Sequence, residues 1–151
     1  IANGHALAAV AGTDALRDAA ARIFATGSFW AGGVAMAAAL ATLTVADRGE
    51  GLIAHLQRMG SRLRQGIAEQ AAAHGVKLRQ SGPVQMPVIL FDEDAERRKG
   101  WLFCSEALKR GVYMHATHTM FLSAAHGEAD IDQALDATDA AMAEVARQYG
   151  S

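Results

Sequence analysis

Three histidines in the C-terminal third of the chain have the side-chain type of metal ligands. His115 and His118 are three residues apart, and His126 follows further along. A zinc site needs three or four ligands held in one geometry. The segment 116–119 predicts a polar bend rather than a helical turn, and no acidic residue is placed to complete the set. We therefore do not expect a metal site here.

Ser123 and Cys104 are the candidate nucleophiles. Ser123 lies three residues before His126, but the glycines of a nucleophile elbow do not surround it and no third catalytic residue is in view. We interpret Ser123 as a strand residue and His126 as a helix-entry residue. Cys104 is the single cysteine and follows the apolar run 101–103, which favours a core position in a reducing compartment.

A loop near residue 28 has the features of an anion site. Gly27 and Ser28 offer backbone N–H groups and a hydroxyl just before a predicted helix that starts near Val34, and this arrangement suits a phosphate. Phe29 and Trp30 would anchor the loop. From the residues alone, a packing turn is the better interpretation.

The elements that would position these residues follow from the apolar pattern. The stretch from Phe24 to Ala46 has no charged residue, but Ala, Gly, Thr and Ser dominate it, so it predicts a loop and a buried helix at 34–46 rather than a membrane span. From about residue 50 onward the order of elements predicts an α+β unit. The other predicted elements are a strand at 5–11, a helix from Leu16 with Thr13 as N-cap, a helix at 52–67 ended by His74-Gly75, strands at 76–78 and 84–91 (broken by Pro87), a helix at 95–110 closed by Gly111, strands at 112–114 and 120–123, and a last helix at 128–148. Two of these helices have an apolar stripe: Leu52, Leu56, Met59, Leu63 and Ile67 on the helix at 52–67, and Ile131, Leu135, Met142 and Val145 on the last helix.

Composition and charge exclude several classes of partner. Apolar residues make up 51% of the 151 residues, and the net charge is -2 with both signs interspersed. Such a chain is an ordinary globular one, and we expect binding neither to nucleic acid nor to a membrane surface. The chain begins at Ile1, inside sequence that already has the pattern of a folded domain, and no signal peptide pattern is visible. We expect a fragment of a cytoplasmic protein.

Four patches resemble class III pyridoxal-phosphate-dependent aminotransferases, and the last resembles their glutamate-1-semialdehyde aminomutase branch. The patches are 1–12, 27–43, 111–113 and 121–132, including the run Phe-Leu-Ser-Ala-Ala-His-Gly-Glu. The resemblance implies the α/β fold of type I pyridoxal-phosphate enzymes, of which this chain would be the C-terminal part. Residues 1–50 would end the large cofactor domain, and residues 51–151 would form the small α+β domain.

The same resemblance implies where the site lies. The lysine that holds the cofactor as a Schiff base would precede Ile1 by about two residues, so no catalytic residue is expected within this chain. Gly27 and Ser28 would donate hydrogen bonds to the cofactor phosphate of a neighbouring subunit in a homodimer, with serine at the family's threonine position. Phe29 and Trp30 would stand at the substrate entrance or pack at the dimer interface.

The resemblance also suggests an activity. His115 would line the substrate pocket near the position where ω-transaminase relatives have an arginine that binds a carboxylate. The implied reaction is transamination of an amine or amino acid with a keto acid. Alternatives are the aminomutase or another pyridoxal-phosphate reaction on the same fold. A non-enzymatic α+β dimerisation module is the alternative from another class.

Overall fold

The structure is a computed structural model that describes residues 1–24, 26–28, 32–47 and 51–150. Phe29 and Trp30 lie outside the described residues. The chain divides into two compact units, Ile1–Leu52 and Ile53–Ser151. The first contains a short 3-10 turn (Asp14–Leu16), α1 (Arg17–Ala21) and α2 (Gly33–Asp47). The second is formed by α3 (Leu52–Ala73), β1 (Leu78–Ser81), β2 (Val88–Phe91), α4 (Arg98–Leu108) and α5 (Glu128–Tyr149).

The N-terminal segment does not form the predicted strand. Residues 5–11 have no strand structure, and a strand requires a partner to accept and donate its backbone hydrogen bonds. Thr13 does precede the first helical turn in an extended conformation, but its side chain makes no capping hydrogen bond. The turn is held instead by the Leu16 amide, which donates to the Thr13 carbonyl at 3.0 Å.

Helix α2 has the predicted bounds but not the predicted burial. Within the described residues only Ala39 of this helix is buried, whereas Val34 and Leu40 are 70% and 68% exposed. Its apolar and small residues occur on every face, so covering one face leaves the others exposed. The prediction of a helix buried on most faces is therefore wrong for this unit. No helix in the described ranges is both long and apolar enough to cross a bilayer.

The second unit has its own hydrophobic core, contributed mainly by α3 and α5. The predicted stripe of α3 is buried at Met59, Leu63 and Ile67. Helix α5 buries Ile131, Met142 and Val145, as its own stripe predicted. These two helices pack with α4 and the strands over one continuous cluster. The buried members besides the six residues named above are Ala71, Ile89, Phe91, Phe103, Cys104, Ala107, Met114, Ala116 and Ala141.

Strands β1 and β2 form an antiparallel pair, in register from Leu78 opposite Phe91 to Ser81 opposite Val88. β1 lies further along the chain than the predicted 76–78, because Val76 still donates to the last turn of α3. β2 begins only after Pro87, in agreement with the predicted break at that residue.

The predicted strands 112–114 and 120–123 are not formed. The second of these segments does lie beside 85–87: the Met120 amide donates to the Pro87 carbonyl at 3.1 Å, and Leu122 donates to Gln85 at 3.0 Å. Proline has no N–H, so Pro87 cannot return the hydrogen bond to Met120. The pairing is therefore one-sided at Pro87, and the sheet of the described residues has only the two strands β1 and β2.

Helix α4 is shorter than predicted because both ends are set by particular residues. The carboxylate of Asp94 accepts hydrogen bonds from the amides of Lys99 and Gly100, at 3.0 Å each, and so caps the first turn. At the other end Gly111 has φ of +83°, which glycine adopts without steric cost and which reverses the chain after the helix.

Candidate functional site

The predicted phosphate-binding residues form an exposed and open segment of the first unit. Gly27 and Ser28 are both exposed. Among the described residues, a Cβ placed on Gly27 would have no atom within 4 Å, and the φ of Gly27 is outside the left-handed range, so neither crowding nor backbone conformation requires a glycine there. The phosphate-binding role of the two residues stays a prediction.

His115 and His118 lie in the loop 115–119, which follows the segment 111–114 of the second unit. We call it the histidine loop. The Thr117 amide donates to Nδ1 of His115 at 3.2 Å. An amide only donates, so Nδ1 of His115 is an acceptor and the hydrogen of the neutral ring is on Nε2.

His118 has the opposite tautomer. Its Nδ1 lies 2.8 Å from the Thr119 carbonyl oxygen, which only accepts, so Nδ1 is the donor and Nε2 of the neutral ring has a free lone pair. The two imidazole centroids are 5.9 Å apart with planes at 77°. The indole of Trp101 on α4 contacts His115 edge-on, with centroids 5.0 Å apart. The sequence pattern does not predict this contact, because Trp101 and His115 belong to different elements.

The described residues contain no group of three or more His, Cys, Asp or Glu placed to hold a metal ion. Ser123 and His126 are in contact but are not arranged for nucleophilic catalysis. Nδ1 of His126 accepts the Ser123 amide at 2.9 Å, and the Ser123 hydroxyl lies further away at 3.3 Å. The single lone pair of Nδ1 is thus engaged by the backbone and is not available to deprotonate the hydroxyl.

Cys104 is a core residue, as its neighbours predicted. It is buried in α4, and burial raises the pKa of its thiol to about 11. A thiol with this pKa remains protonated at neutral pH and is a poor nucleophile.

A cavity of about 350 Å³ opens between the start of α5 and the two segments that flank the histidine loop. Its walls are mostly apolar, and Leu63 of α3 contributes to them. His126 and Asp130 are polar members of the lining. The Asp130 carboxylate also accepts the Gly127 amide at 2.8 Å, which caps α5. The sequence pattern does not reveal this cavity, since its lining comes from separate elements.

The chain is similar to known aminotransferases and aminomutases. It is 45% identical over 150 residues to an aminopentol aminotransferase of Sphingopyxis macrogoltabida, covering 99% of this chain and 35% of that protein. It is 30% identical over 132 residues to a glutamate-1-semialdehyde 2,1-aminomutase of Thermus thermophilus, covering 80% of this chain and 31% of the relative. The chain thus spans about a third of the length of these curated relatives.

Solved structures give the same result. The FumI protein of Sphingopyxis sp. MTA144, in a form described as the PLP internal aldimine, matches 93% of this chain and 34% of its own, with a TM-score of 0.81 and 44% identity. A transaminase with PLP bound matches 85% of this chain and 31% of its own, with a TM-score of 0.69 and 17% identity, a likeness of fold alone. No family model matches the chain.

Proposed function

We propose that the intact protein is an aminotransferase. The chain is homologous to the C-terminal portion of class III aminotransferases and glutamate-1-semialdehyde aminomutases, and it has the fold of that part of type I pyridoxal-phosphate enzymes. The intact protein would transfer an amino group from an amine or amino acid to a keto acid. The observation that carries the proposal is the 45% identity to an aminopentol aminotransferase across 99% of the chain.

The proposed cofactor is pyridoxal phosphate, which supplies an electron sink that makes a proton next to the amino group removable. Gly27 and Ser28 are the residues of this chain that would hold its phosphate. The Ser28 hydroxyl and the Gly27 amide are donors, and donors to a phosphate make charge-assisted hydrogen bonds. Both residues are exposed, which leaves them accessible to a phosphate.

The proposed active site is completed by residues outside this chain. The lysine that binds the cofactor is proposed to lie just before Ile1, and Ser28 to reach the phosphate held by the second subunit of a homodimer. The family's sequence pattern supports both steps. Serine keeps the hydroxyl of the threonine usual there but lacks the methyl group that restricts the rotamer, so its hydroxyl is less preorganised.

Replacing Ser28 by alanine in the intact protein tests the phosphate site. Loss of one charge-assisted hydrogen bond at an exposed position should raise the cofactor dissociation constant about tenfold. Ser28→Thr is the matched control and should bind as tightly as the wild type or more tightly. The dissociation constant is measured by titrating the apoprotein and following cofactor absorbance. An unchanged constant in Ser28→Ala would remove Ser28 from the site.

The second candidate is an aminomutase, supported by the 30% identity to the Thermus thermophilus enzyme. An aminotransferase passes the amino group to a separate keto acid, whereas a mutase moves it within one molecule. Incubating the intact protein with an amine and a keto acid, and measuring the new amino acid, separates the two. A non-enzymatic dimerisation module would neither bind the cofactor nor transfer the group.

A further inference from the structure

The cavity beside the start of α5 has the size and lining of a small-molecule site. Its volume of about 350 Å³ lies within the usual range of ligand pockets, about 300–1,000 Å³. Leu63, Met114 and Ile131 line it and are buried, so they form its inner wall. A water molecule takes up about 30 Å³ in the liquid, so the cavity has room for about ten non-hydrogen atoms. The apolar inner wall favours a guest with a hydrocarbon part.

The charge of the lining is negative. Asp130 is exposed, and no lysine or arginine is among the lining residues. Its Oδ2 accepts the Gly127 amide, and Asp130 forms no salt bridge with any other residue that the structure describes. Nδ1 of His126 accepts the Ser123 amide at 2.9 Å, so this imidazole is the neutral tautomer and adds no positive charge. The carboxylate therefore attracts a cationic guest and repels an anionic one.

Two aromatic side chains of the lining are exposed. Tyr113 is 75% exposed and Phe121 is 62% exposed. Neither ring packs against another aromatic ring within the described ranges. Aromatic rings are common in the walls of ligand pockets, and the face of such a ring attracts a cation. The rings and the carboxylate thus favour the same kind of guest.

We propose that this cavity binds an organic ammonium ion that carries a hydrocarbon chain. The chain lies against Leu63, Met114 and Ile131, and the cationic group lies near Asp130 and the two exposed rings. Burial of the chain supplies most of the affinity, whereas the carboxylate and the rings select the sign of the charge. The cavity shares no residue with the proposed phosphate site, so this proposal does not depend on the proposed function.

The test uses hexyltrimethylammonium as the probe. Its nitrogen carries no hydrogen, so it cannot form a Schiff base with an aldehyde cofactor. Isothermal titration calorimetry gives its dissociation constant for the intact protein with cofactor bound. Octanoate is the matched anionic probe, with the same number of non-hydrogen atoms, and tetramethylammonium lacks the chain. We expect hexyltrimethylammonium to bind about tenfold more tightly than either.

Variants of single lining residues test the source of the selectivity. Asp130→Asn removes the charge but keeps an oxygen that can accept the Gly127 amide, and it should weaken binding of hexyltrimethylammonium about 2- to 5-fold. Tyr113→Leu keeps an apolar side chain without a ring and should cause a loss of about 2- to 5-fold. Asp136→Asn is the matched control, because Asp136 is an exposed carboxylate on the same helix outside the lining. It should bind the probe as the wild type does.

Methionine methyl groups locate the bound probe. Met114 and Met120 line the cavity, whereas Met86 is exposed and does not line it. In NMR spectra of the intact protein with carbon-13 methionine methyls, each assigned by replacement with leucine, the probe should shift Met114 and Met120 but not Met86.

Three results would each overturn the proposed ammonium site. They are no measurable binding, shifts confined to other methionines, and equal affinities of Asp130→Asn and Asp136→Asn for the probe. Octanoate binding as tightly as hexyltrimethylammonium would show that the site does not select cations, which also overturns it. None of these measurements uses amino-group transfer, so the proposed aminotransferase activity is tested separately.

Discussion

The buried hydrogen bond between α3 and α5 allows a quantitative test of how the second unit is stabilised. Thr138 on α5 is fully buried, and its hydroxyl donates to the side-chain oxygen of Gln70 on α3 at 2.8 Å. The Gln70 amide in turn donates to the Leu135 carbonyl at 2.8 Å. Thr138→Val preserves the shape of the side chain but leaves the Gln70 oxygen without its donor.

The expected cost follows from the burial of the two partners. An unpaired buried polar group costs about 1–3 kcal/mol, and Gln70 is only half-buried, so we expect a loss of about 1 kcal/mol. Gln70→Met in the Thr138→Val background removes the unpaired oxygen but also the amide that donates to the Leu135 carbonyl, so it should recover part of that loss. The two substitutions should therefore be non-additive by about 1 kcal/mol.

Urea unfolding followed by far-ultraviolet circular dichroism gives the free energies of unfolding for this cycle. Ser105→Ala is the control, since Ser105 is an exposed hydroxyl-bearing residue of α4 in the same unit. It should change the free energy of unfolding by less than about 0.5 kcal/mol. If Thr138→Val and Ser105→Ala were equally mild, or the double variant simply additive, the hydrogen bond would not stabilise the packing of the two helices.

Two further predictions concern α3 and α5. Gly60→Ala should destabilise the unit by about 1–3 kcal/mol in the same assay, because the new Cβ would overlap the backbone carbonyl oxygen of Val84. A smaller loss is expected for Gly66→Ala, because its new Cβ meets only the end of the Leu135 side chain. If both variants were equally stable, the close approach at Gly60 would be ruled out. Hydrogen bonds from Arg147 and Gln148 lower the pKa of Glu144 to about 2, so its contribution to stability should be present above pH 4.5 and lost as the pH falls towards 2. An NMR titration of the Glu144 carboxyl group checks this pKa, and a titration midpoint near pH 4.5 would contradict it. The free energy of unfolding of the wild type, compared with that of Glu144→Gln from pH 2 to 7, checks the effect on stability.

The long amphipathic helices can be predicted from the sequence, because their apolar stripes recur with helical periodicity whatever they pack against. The stripe on α3 and the predicted range 128–148 for α5 are both confirmed. The predicted helix at 34–46 is correct in extent, but its burial is not predictable. Burial depends on which neighbours cover a face, and a helix apolar on all sides does not indicate which face that is.

The prediction of strands from the sequence is limited for a different reason. A single-sequence pattern identifies residues suited to a pleated surface but not the partner that completes the hydrogen bonds. The segment 5–11 has the composition of a strand but no strand structure. The segment 120–123 lies beside Pro87, which has no N–H to donate back to Met120.

The candidate site is predictable only in part. The resemblance of four patches identifies the family, which the comparisons confirm. The roles of Gly27, Ser28, Phe29, Trp30 and His115 stay predictions. The tautomers of the two loop histidines cannot be deduced from the sequence, since they depend on backbone groups positioned by the bend.

The one-sided pairing at Pro87 has a dynamic consequence for the histidine loop. Among the described residues, the backbone bonds that join 120–122 to 85–87 are those donated by Met120 and Leu122. Each such bond contributes about 0.5–1.5 kcal/mol net, so this segment can separate at a free energy well below that of global unfolding. In hydrogen exchange, these two amides should open as a pair before those of α5. The downstream end of the histidine loop should therefore open at a lower free energy than the helices of the unit.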